Sequence, residues 1–233
     1  GLPFDSEGMK ERYPGVFFSQ FTGAELVADK WNLSREDLDK FALESHQKAA
    51  HATESKYFDR EILPVEGRNA EGMNDLVMAD EGIRFDASLD KLAGLNPVTE
   101  GGVITAGNAS QITDGAAAVM VCNDAGLKKI QANPRAEIVS ISVVGDDPVF
   151  MLTGPIPASI QALKTANLTI DDMDLYEVNE AFAPVPLAWA EDLKADRSKL
   201  NVNGGAMALG HPLGATGAKL MTTLLHEMER RES

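Results

Sequence analysis

Three short segments of the 233-residue chain combine reactive side chains with small residues that let a ligand come close. The run Gly204-Gly205-Ala206-Met207-Ala208-Leu209-Gly210-His211-Pro212-Leu213-Gly214-Ala215-Thr216-Gly217-Ala218 sets one histidine among glycines and alanines, with a proline directly after it. An imidazole held that firmly suits a general base, because proton transfer needs a fixed distance to the proton removed. A purely structural histidine fits the same run. It is not a phosphate-binding loop, since no Lys-Ser or Lys-Thr follows a glycine at the required offset, and Gly-x-Gly-x-x-Gly is absent. The second segment, Asn179-Glu180-Ala181-Phe182-Ala183, lies where a strand is expected to give way to a helix. Side chains at the carboxyl ends of strands in α/β sheets face the ligand crevice. An asparagine there holds a water or donates to an oxyanion; equally, Asn179 reads as a helix N-cap. The third, Thr105-Ala106-Gly107-Asn108-Ala109-Ser110 leading into Asp114-Gly115, allows close approach of a ligand or another chain to the backbone. It reads as well as a loop entering a buried strand.

The other reactive residues carry less. His46 and His51 stand five apart on one expected helix, point in different directions and do not suit a shared metal. His226, beside Leu225, Glu227 and Met228, reads as a surface residue. Cys122 ends an apolar run with no histidine nearby and reads as an inert buried thiol.

Elements must position these groups. Residues 1–23 read as loop. A helix over 22–31 is followed by a second, for which Ser34 is the N-cap and Asp37 completes a capping box. Leu38, Phe41, Ala42, Ala49 and Ala52 recur on one face of it. Residues 65–104 are polar, Gly-rich and irregular, with short extended pieces. The small apolar run 114–122 suits a strand buried on both faces, or a buried helix. A helix over 124–130 and a β-branched strand over 136–144 follow. Helix 158–166, strand 175–178, helix 180–194, strand 200–203, the Gly-rich loop 204–217 and helix 215–228 complete the chain. Strands alternating with helices after residue 114 imply a layered α/β fold.

Lys and Arg number 21 against 36 Asp and Glu, a net charge of −15. Such a surface repels phosphate backbones, so nucleic acid is not expected as a partner, and an anionic ligand would need local positive groups or backbone donors. No run is long and apolar enough to span a bilayer, so no membrane span is expected. The chain opens on Gly1 without a basic-then-apolar segment, so no signal peptide is expected. A single cysteine excludes an internal disulfide framework and suggests a reducing, cytoplasmic setting.

Together, "TAGNASQITDGAAAV" at 105–119, "NEAFA" at 179–183 and "NVNGGAMALGHPLGATGA" at 201–218 resemble three signature blocks of the thiolase family, in the family's order. "NLSREDLDKFALESHQKA" at 32–49 is similar to that family's inserted loop domain, and the likeness covers nearly the whole chain. "LDKLAGLNPV" and the stretch after residue 201 look similar to actinobacterial thiolases of fatty-acid or steroid side-chain degradation. The resemblance implies a thiolase-like layered α/β/α/β/α fold with an inserted loop domain, incomplete at both ends. Residues 1–112 would be the loop domain that covers coenzyme A, 113–133 the final strand and helix of the N-terminal half, and 134–233 most of the C-terminal half.

It also implies an acyl-CoA C-acyltransferase, catalysing reversible Claisen condensation or thiolysis of 3-ketoacyl-CoA through a cysteine acyl-enzyme. His211 would take the thiol proton, and with a water held by Asn179 would form the oxyanion hole. Ser110 would contact the pantetheine arm, Ala181 and Phe182 the pocket wall beside it, and Arg84 the nucleotide end of coenzyme A. Acyl-CoA and coenzyme A are the implied partners, as substrates; no cofactor or metal is implied, and a homo-oligomer is. Both cysteines of the family's chemistry fall outside these residues, and Cys122 matches neither, so the chain alone is expected to be inactive. A non-catalytic coenzyme A–binding or scaffold subunit is the alternative. A ketoacyl synthase is disfavoured, because those enzymes usually place a second histidine where Asn179 stands.

Overall fold

The computed structural model of the chain describes residues 3–68 and 72–232. Three helices lead: α1 (Glu7–Arg12), α2 (Gln20–Lys30) and α3 (Arg35–Glu54). The expected capping box starts α3. Ser34 Oγ accepts from the Asp37 amide at 3.2 Å, and Asp37 Oδ2 accepts from the Ser34 amide at 2.9 Å. The face of Leu38, Phe41, Ala42, Ala49 and Ala52 is buried as its spacing requires, and Asp39, Ser45 and His46 are buried with it. Residues 65–104 hold a short antiparallel hairpin, β1 (Val65–Arg68) with β2 (Asn74–Val77), in which Val65 pairs with Val77. Helix α4 (Leu89–Ala93) follows, capped by Ser88.

The stretch 103–110 is irregular but firmly held. The Glu25 carboxylate of α2 accepts from the amides of Val103 at 2.9 Å and Ile104 at 3.0 Å. Asn108, fully buried, donates to Asp39 Oδ1 at 3.0 Å and accepts from the Thr105 amide at 2.8 Å. Arg35 Nε closes the network on Asp39 Oδ2 at 2.7 Å. No buried side-chain N or O atom of this stretch lacks a hydrogen-bond partner, which is what lets a loop survive inside a core.

The second part carries α5 (Asp124–Ile130), α6 (Pro155–Ala166), α7 (Pro184–Leu193), α8 (Ala206–Leu209) and α9 (Thr216–Arg231). The main core joins α2 and α3 to α7 through Ala28, Phe41, Ile104, Phe182, Trp189 and Met207. No described helix is long and apolar enough to cross a membrane.

Several expected elements change. Residues 114–122 and 136–144 form no ladder among the described residues. Their apolar side chains stand in solvent, with Val121 67%, Ile141 74% and Val143 89% exposed. A strand exists only through hydrogen bonds to a neighbour, and no described segment supplies one. Cys122, at the end of the first run, is therefore exposed and not a buried thiol. The expected strands 175–178 and 200–203 meet in one parallel bridge, Tyr176 to Leu200. The pairing ends there because the Asn201 side chain takes both backbone groups of Val178, accepting from its N–H and donating to its C=O at 2.9 Å each. Helix α7 begins at Pro184 and not at Glu180, because residues 181–183 are paired with 108–110. The Gly-rich loop contains the turn of α8 and is not irregular throughout.

Candidate active site

Asn179 and His211 come from the two segments that the sequence singles out, and the structure brings them together. Asn179 ends the stretch after Tyr176 and Val178, whose side chains point into the core. Alternation turns Glu177 and Asn179 to the other face, into a cleft shared with Gly210, Thr216 and Lys219. Asn179 is not a helix cap: the N-cap of α7 is Ala183.

His211 is fixed from three sides. Its backbone N–H donates to Gln111 O at 3.2 Å. Its Nδ1 meets Thr216 Oγ1, in the first turn of α9, at 2.6 Å. Its Nε2 meets Asn179 Nδ2 at 3.3 Å. The tautomer follows from the partners. Thr216 Oγ1 gives its single proton to Pro212 O at 2.9 Å, so it accepts from His211 Nδ1–H. Nε2 is then the bare nitrogen, and Asn179 Nδ2–H donates to its lone pair. Burial lowers the His211 pKa below its usual value, which favours the neutral ring. A neutral imidazole with its proton on Nδ1 is the form that takes up a proton at Nε2, and Asn179 Nδ2 must yield that lone pair when it does. Asn179 Oδ1 is buried without a hydrogen-bond partner among the described residues.

The backbone before His211 is shaped by its neighbours. Gly210 has φ +81°, and a Cβ there would overlap the Thr113 side chain. Gln111 Nε2 donates to Gly82 O and Met207 O, both at 2.7 Å, joining the stretch before α4 to α8. Gln111 and Thr216 were both absent from the sequence-based site. Thr216 carried one local signal, a hydroxyl at the start of the helix that follows the histidine. Gln111 carried none, because its partners lie 29 and 96 residues away.

Ser110, Ala181 and Phe182 also adjoin. The Ser110 amide donates to Ala181 O at 2.9 Å, and Ala109 bridges Phe182. The Phe182 ring is only 4% exposed and packs edge-on against Phe21 at 5.5 Å, so it belongs to the core. Arg84 lies between β2 and α4 with its side chain exposed, and the guanidinium makes no hydrogen bond or ion pair among the described residues. Its backbone N–H donates to His46 Nδ1 at 3.1 Å. Burial and the neighbouring Arg84 charge lower the His46 pKa. His226 is not a surface residue: its side chain is 11% exposed, its Nδ1–H donates to Thr222 O at 2.8 Å, and the same nitrogen lies 3.4 Å from Glu61 Oε2. Glu177, on the cleft, has its pKa raised well above the carboxylate range by burial and by the nearby Glu180 charge.

Residues 7–125 match the family described as "Thiolase, N-terminal domain", and residues 132–233 match "Thiolase, C-terminal domain". Over 226 residues the chain is 51% identical to the steroid 3-ketoacyl-CoA thiolase FadA6 of Mycobacterium tuberculosis, covering 97% of this chain and 54% of that protein. It is 46% identical to the mitochondrial 3-ketoacyl-CoA thiolase of Rattus norvegicus, over 89% of this chain and 52% of that protein. Among solved structures, the Bacillus anthracis acetyl-CoA acetyltransferase superposes with a TM-score of 0.88 at 40% identity, covering 94% of this chain and 56% of that one. Human mitochondrial 3-ketoacyl-CoA thiolase superposes with a TM-score of 0.85 at 43% identity, covering 91% and 54%. The chain thus spans about half the length of the relatives it matches.

Proposed function

The chain belongs to the thiolase family and has its layered α/β fold, and from that premise we propose that it carries the histidine and oxyanion side of an acyl-CoA C-acyltransferase site. The supporting observation is the contact of Asn179 Nδ2 with a neutral His211 Nε2 at 3.3 Å. In the thiolytic direction a cysteine thiol loses its proton to His211 Nε2, and the sulfur attacks the 3-keto carbon of a 3-ketoacyl-CoA. The C2–C3 bond then breaks. Its electron pair stays on C2 of the leaving acetyl-CoA, which takes up a proton, and the acyl group remains on sulfur. The thiol of free coenzyme A gives its proton back to the group that protonated C2 and takes the acyl group off, and the cysteine leaves as a thiolate that recovers its own proton from His211. Asn179 and His211 together line the position where negative charge collects on the thioester oxygen, and a fixed donor there acts mainly in the transition state.

Residues 1–112 serve as the domain that covers coenzyme A, residues 113–133 close the N-terminal half, and residues 134–233 belong to the C-terminal half. Ser110 and Ala181, joined at 2.9 Å, face the pantetheine arm, with Phe182 bracing them from the core. Arg84 meets the nucleotide phosphates, supplying local positive charge on a protein of net charge −15. Coenzyme A and its thioesters are substrates, and the proposed chemistry needs no cofactor. A cytoplasmic homo-oligomer acting on fatty or steroid acyl chains completes the proposal; of the relatives, the Mycobacterium tuberculosis protein is named a steroid thiolase and that of Rattus norvegicus a mitochondrial one.

The test is acetoacetyl-CoA cleavage by the protein expressed from its own gene, beside the 233-residue chain alone. Turnover by the former and none by the latter is expected, since Cys122 stands exposed on the segment before α5. Turnover by the chain alone, or none by the native protein with coenzyme A still bound, overturns the assignment; the latter leaves a non-catalytic coenzyme A–binding role.

A further inference from the structure

Glu180 is the one carboxylate of the Asn179–Ala183 segment, and it is 1% exposed. It makes no ion pair among the described residues, and its charge acts on the nearby Glu177 carboxyl. What holds it is a set of neutral donors from three parts of the chain. Ser45 Oγ on α3 donates to Oε2 at 2.6 Å, the Met207 amide of α8 donates to Oε2 at 3.2 Å, and Asn201 Nδ2 donates to Oε1 at 2.9 Å. Ser45 Oγ in turn accepts from the Gly205 amide at 3.0 Å, so its proton is committed to the carboxylate. Asn201 cannot turn its amide over, because its Oδ1 accepts from Val178 N and its Nδ2 also donates to Val178 O. Burial pushes the Glu180 pKa upward, and the bonds from Ser45, Asn201 and Met207 pull against that.

Two glycines of the His211 loop exist for this arrangement. A Cβ on Gly205 would overlap the Glu180 carboxylate, and a Cβ on Gly204, at φ +79°, would lie 2.6 Å from Ser45 O. Glu180 therefore touches both arms of the site. It directly follows Asn179 in the chain, and through Met207 and Gly205 it grips the turn that runs into His211.

We infer that Glu180 is a positioning residue that sets the Asn179–His211 separation by locking the Asn179 backbone, the His211 loop and helix α3 to one carboxylate. It makes no contact with substrate. The consequence for chemistry rests on the acyltransferase assignment of His211 and Asn179; the positioning itself does not. A buried carboxylate with three neutral donors specifies geometry strictly, because any shift of one arm strands a donor or the charge.

Glu180→Gln tests this at unchanged volume. The new amide sets N–H against either Asn201 Nδ2–H or the Ser45 and Met207 donors, and neither side can invert. Two readouts are taken on the native protein: ring-nitrogen NMR signals of His211 after selective 15N-histidine labelling, and kcat and KM for acetoacetyl-CoA. The native ring is expected as the single Nδ1–H tautomer. Glu180→Gln is expected to mix tautomers and to lower kcat about 10²-fold with KM within about twofold, the pattern of a misplaced catalytic group. Ser45→Ala, which removes one donor and keeps the charge, is expected to move both readouts in the same direction by a smaller factor; it carries the test if Glu180→Gln does not fold. Unchanged ring signals in a folded variant overturn the inference, as does a loss of thermal stability with an unaltered tautomer and kcat. If the native protein shows no turnover, the proposed function falls, and the ring signals alone decide the positioning.

Discussion

Asn179 Nδ2 and His211 Nε2, 32 residues apart in sequence, meet at 3.3 Å. Only the neutral ring accepts that bond, and the Thr216 hydroxyl on the other nitrogen selects the required tautomer. Asn179→Ala removes the amide and leaves the ring in place. It is expected to lower kcat for acetoacetyl-CoA cleavage by about 10²–10³-fold, the usual cost of one oxyanion donor, with KM changed far less. Steady-state kinetics on the native protein check this, and a rate within about twofold of the parent's would remove Asn179 from the chemistry.

Thr216→Val keeps the shape at the start of α9 but takes away the acceptor for His211 Nδ1–H. The ring is then free to carry its proton on Nε2, the nitrogen that must be bare to act as a base. A fall in kcat of about 10–10²-fold is expected, and Thr216→Ser is expected to restore most of it because the hydroxyl returns. Failure of the serine variant to recover would show that the methyl group, not the hydrogen bond, matters at this position.

Burial lowers the His211 pKa below the ordinary value of 6.5. The competent form is the neutral one, so activity is retained as pH falls to 6.5 and is lost only at lower pH, as the ring takes a proton. The acid limb of kcat/KM against pH is therefore expected below 6.5. A limb at higher pH that disappears in His211→Ala would contradict the burial that the structure gives this ring.

Glu61 links the turn after α3 to α9, where Thr223 Oγ1 donates to its Oε1 at 3.3 Å and His226 Nδ1 lies 3.4 Å from its Oε2. Burial pushes its pKa from 4.5 up to about 7, with Thr223 and Lys219 opposing the rise and Asp80 and Glu227 adding to it. The folded value lies above the unfolded one, so the stability it contributes is full below about 4.5 and is lost as pH rises to about 7. Glu61→Gln mimics the protonated form. It is expected to gain stability over the parent between those limits, on the order of 3 kcal/mol at pH 8 and none at pH 4. Urea unfolding at both pH values measures the difference, and an equal offset at the two would rule out titration of Glu61 as its source.

The apolar runs 114–122 and 136–144 leave Met120 80%, Ile141 74% and Val143 89% exposed. A patch of this kind drives association. The 233-residue chain by itself is expected to self-associate with rising concentration, and Ile141→Lys with Val143→Lys is expected to shift it towards the monomer without changing its helix content. Light scattering after size exclusion, with circular dichroism as the check on folding, decides this.

What the sequence determined was local. The Ser34–Asp37 box and the apolar spacing of Leu38, Phe41, Ala42, Ala49 and Ala52 are carried by neighbouring residues, and α3 follows from them. His211 and Asn179 were legible because their blocks hold unusual residue types at fixed spacing, although nothing local put their side chains together. Tertiary structure decided the rest. Residues 114–122 and 136–144 have the composition of buried strands, but composition specifies a preference for burial and not a partner, and without a hydrogen-bonded neighbour neither becomes a strand. Cys122 is exposed for the same reason. Gln111, Thr216 and Glu180 gain their roles from partners such as Gly82, His211 and Ser45, and the distance from Glu180 to Ser45 along the chain is 135 residues. A hydrogen bond closed over that much chain depends on how helices α3 and α8 pack, which no short window of sequence contains.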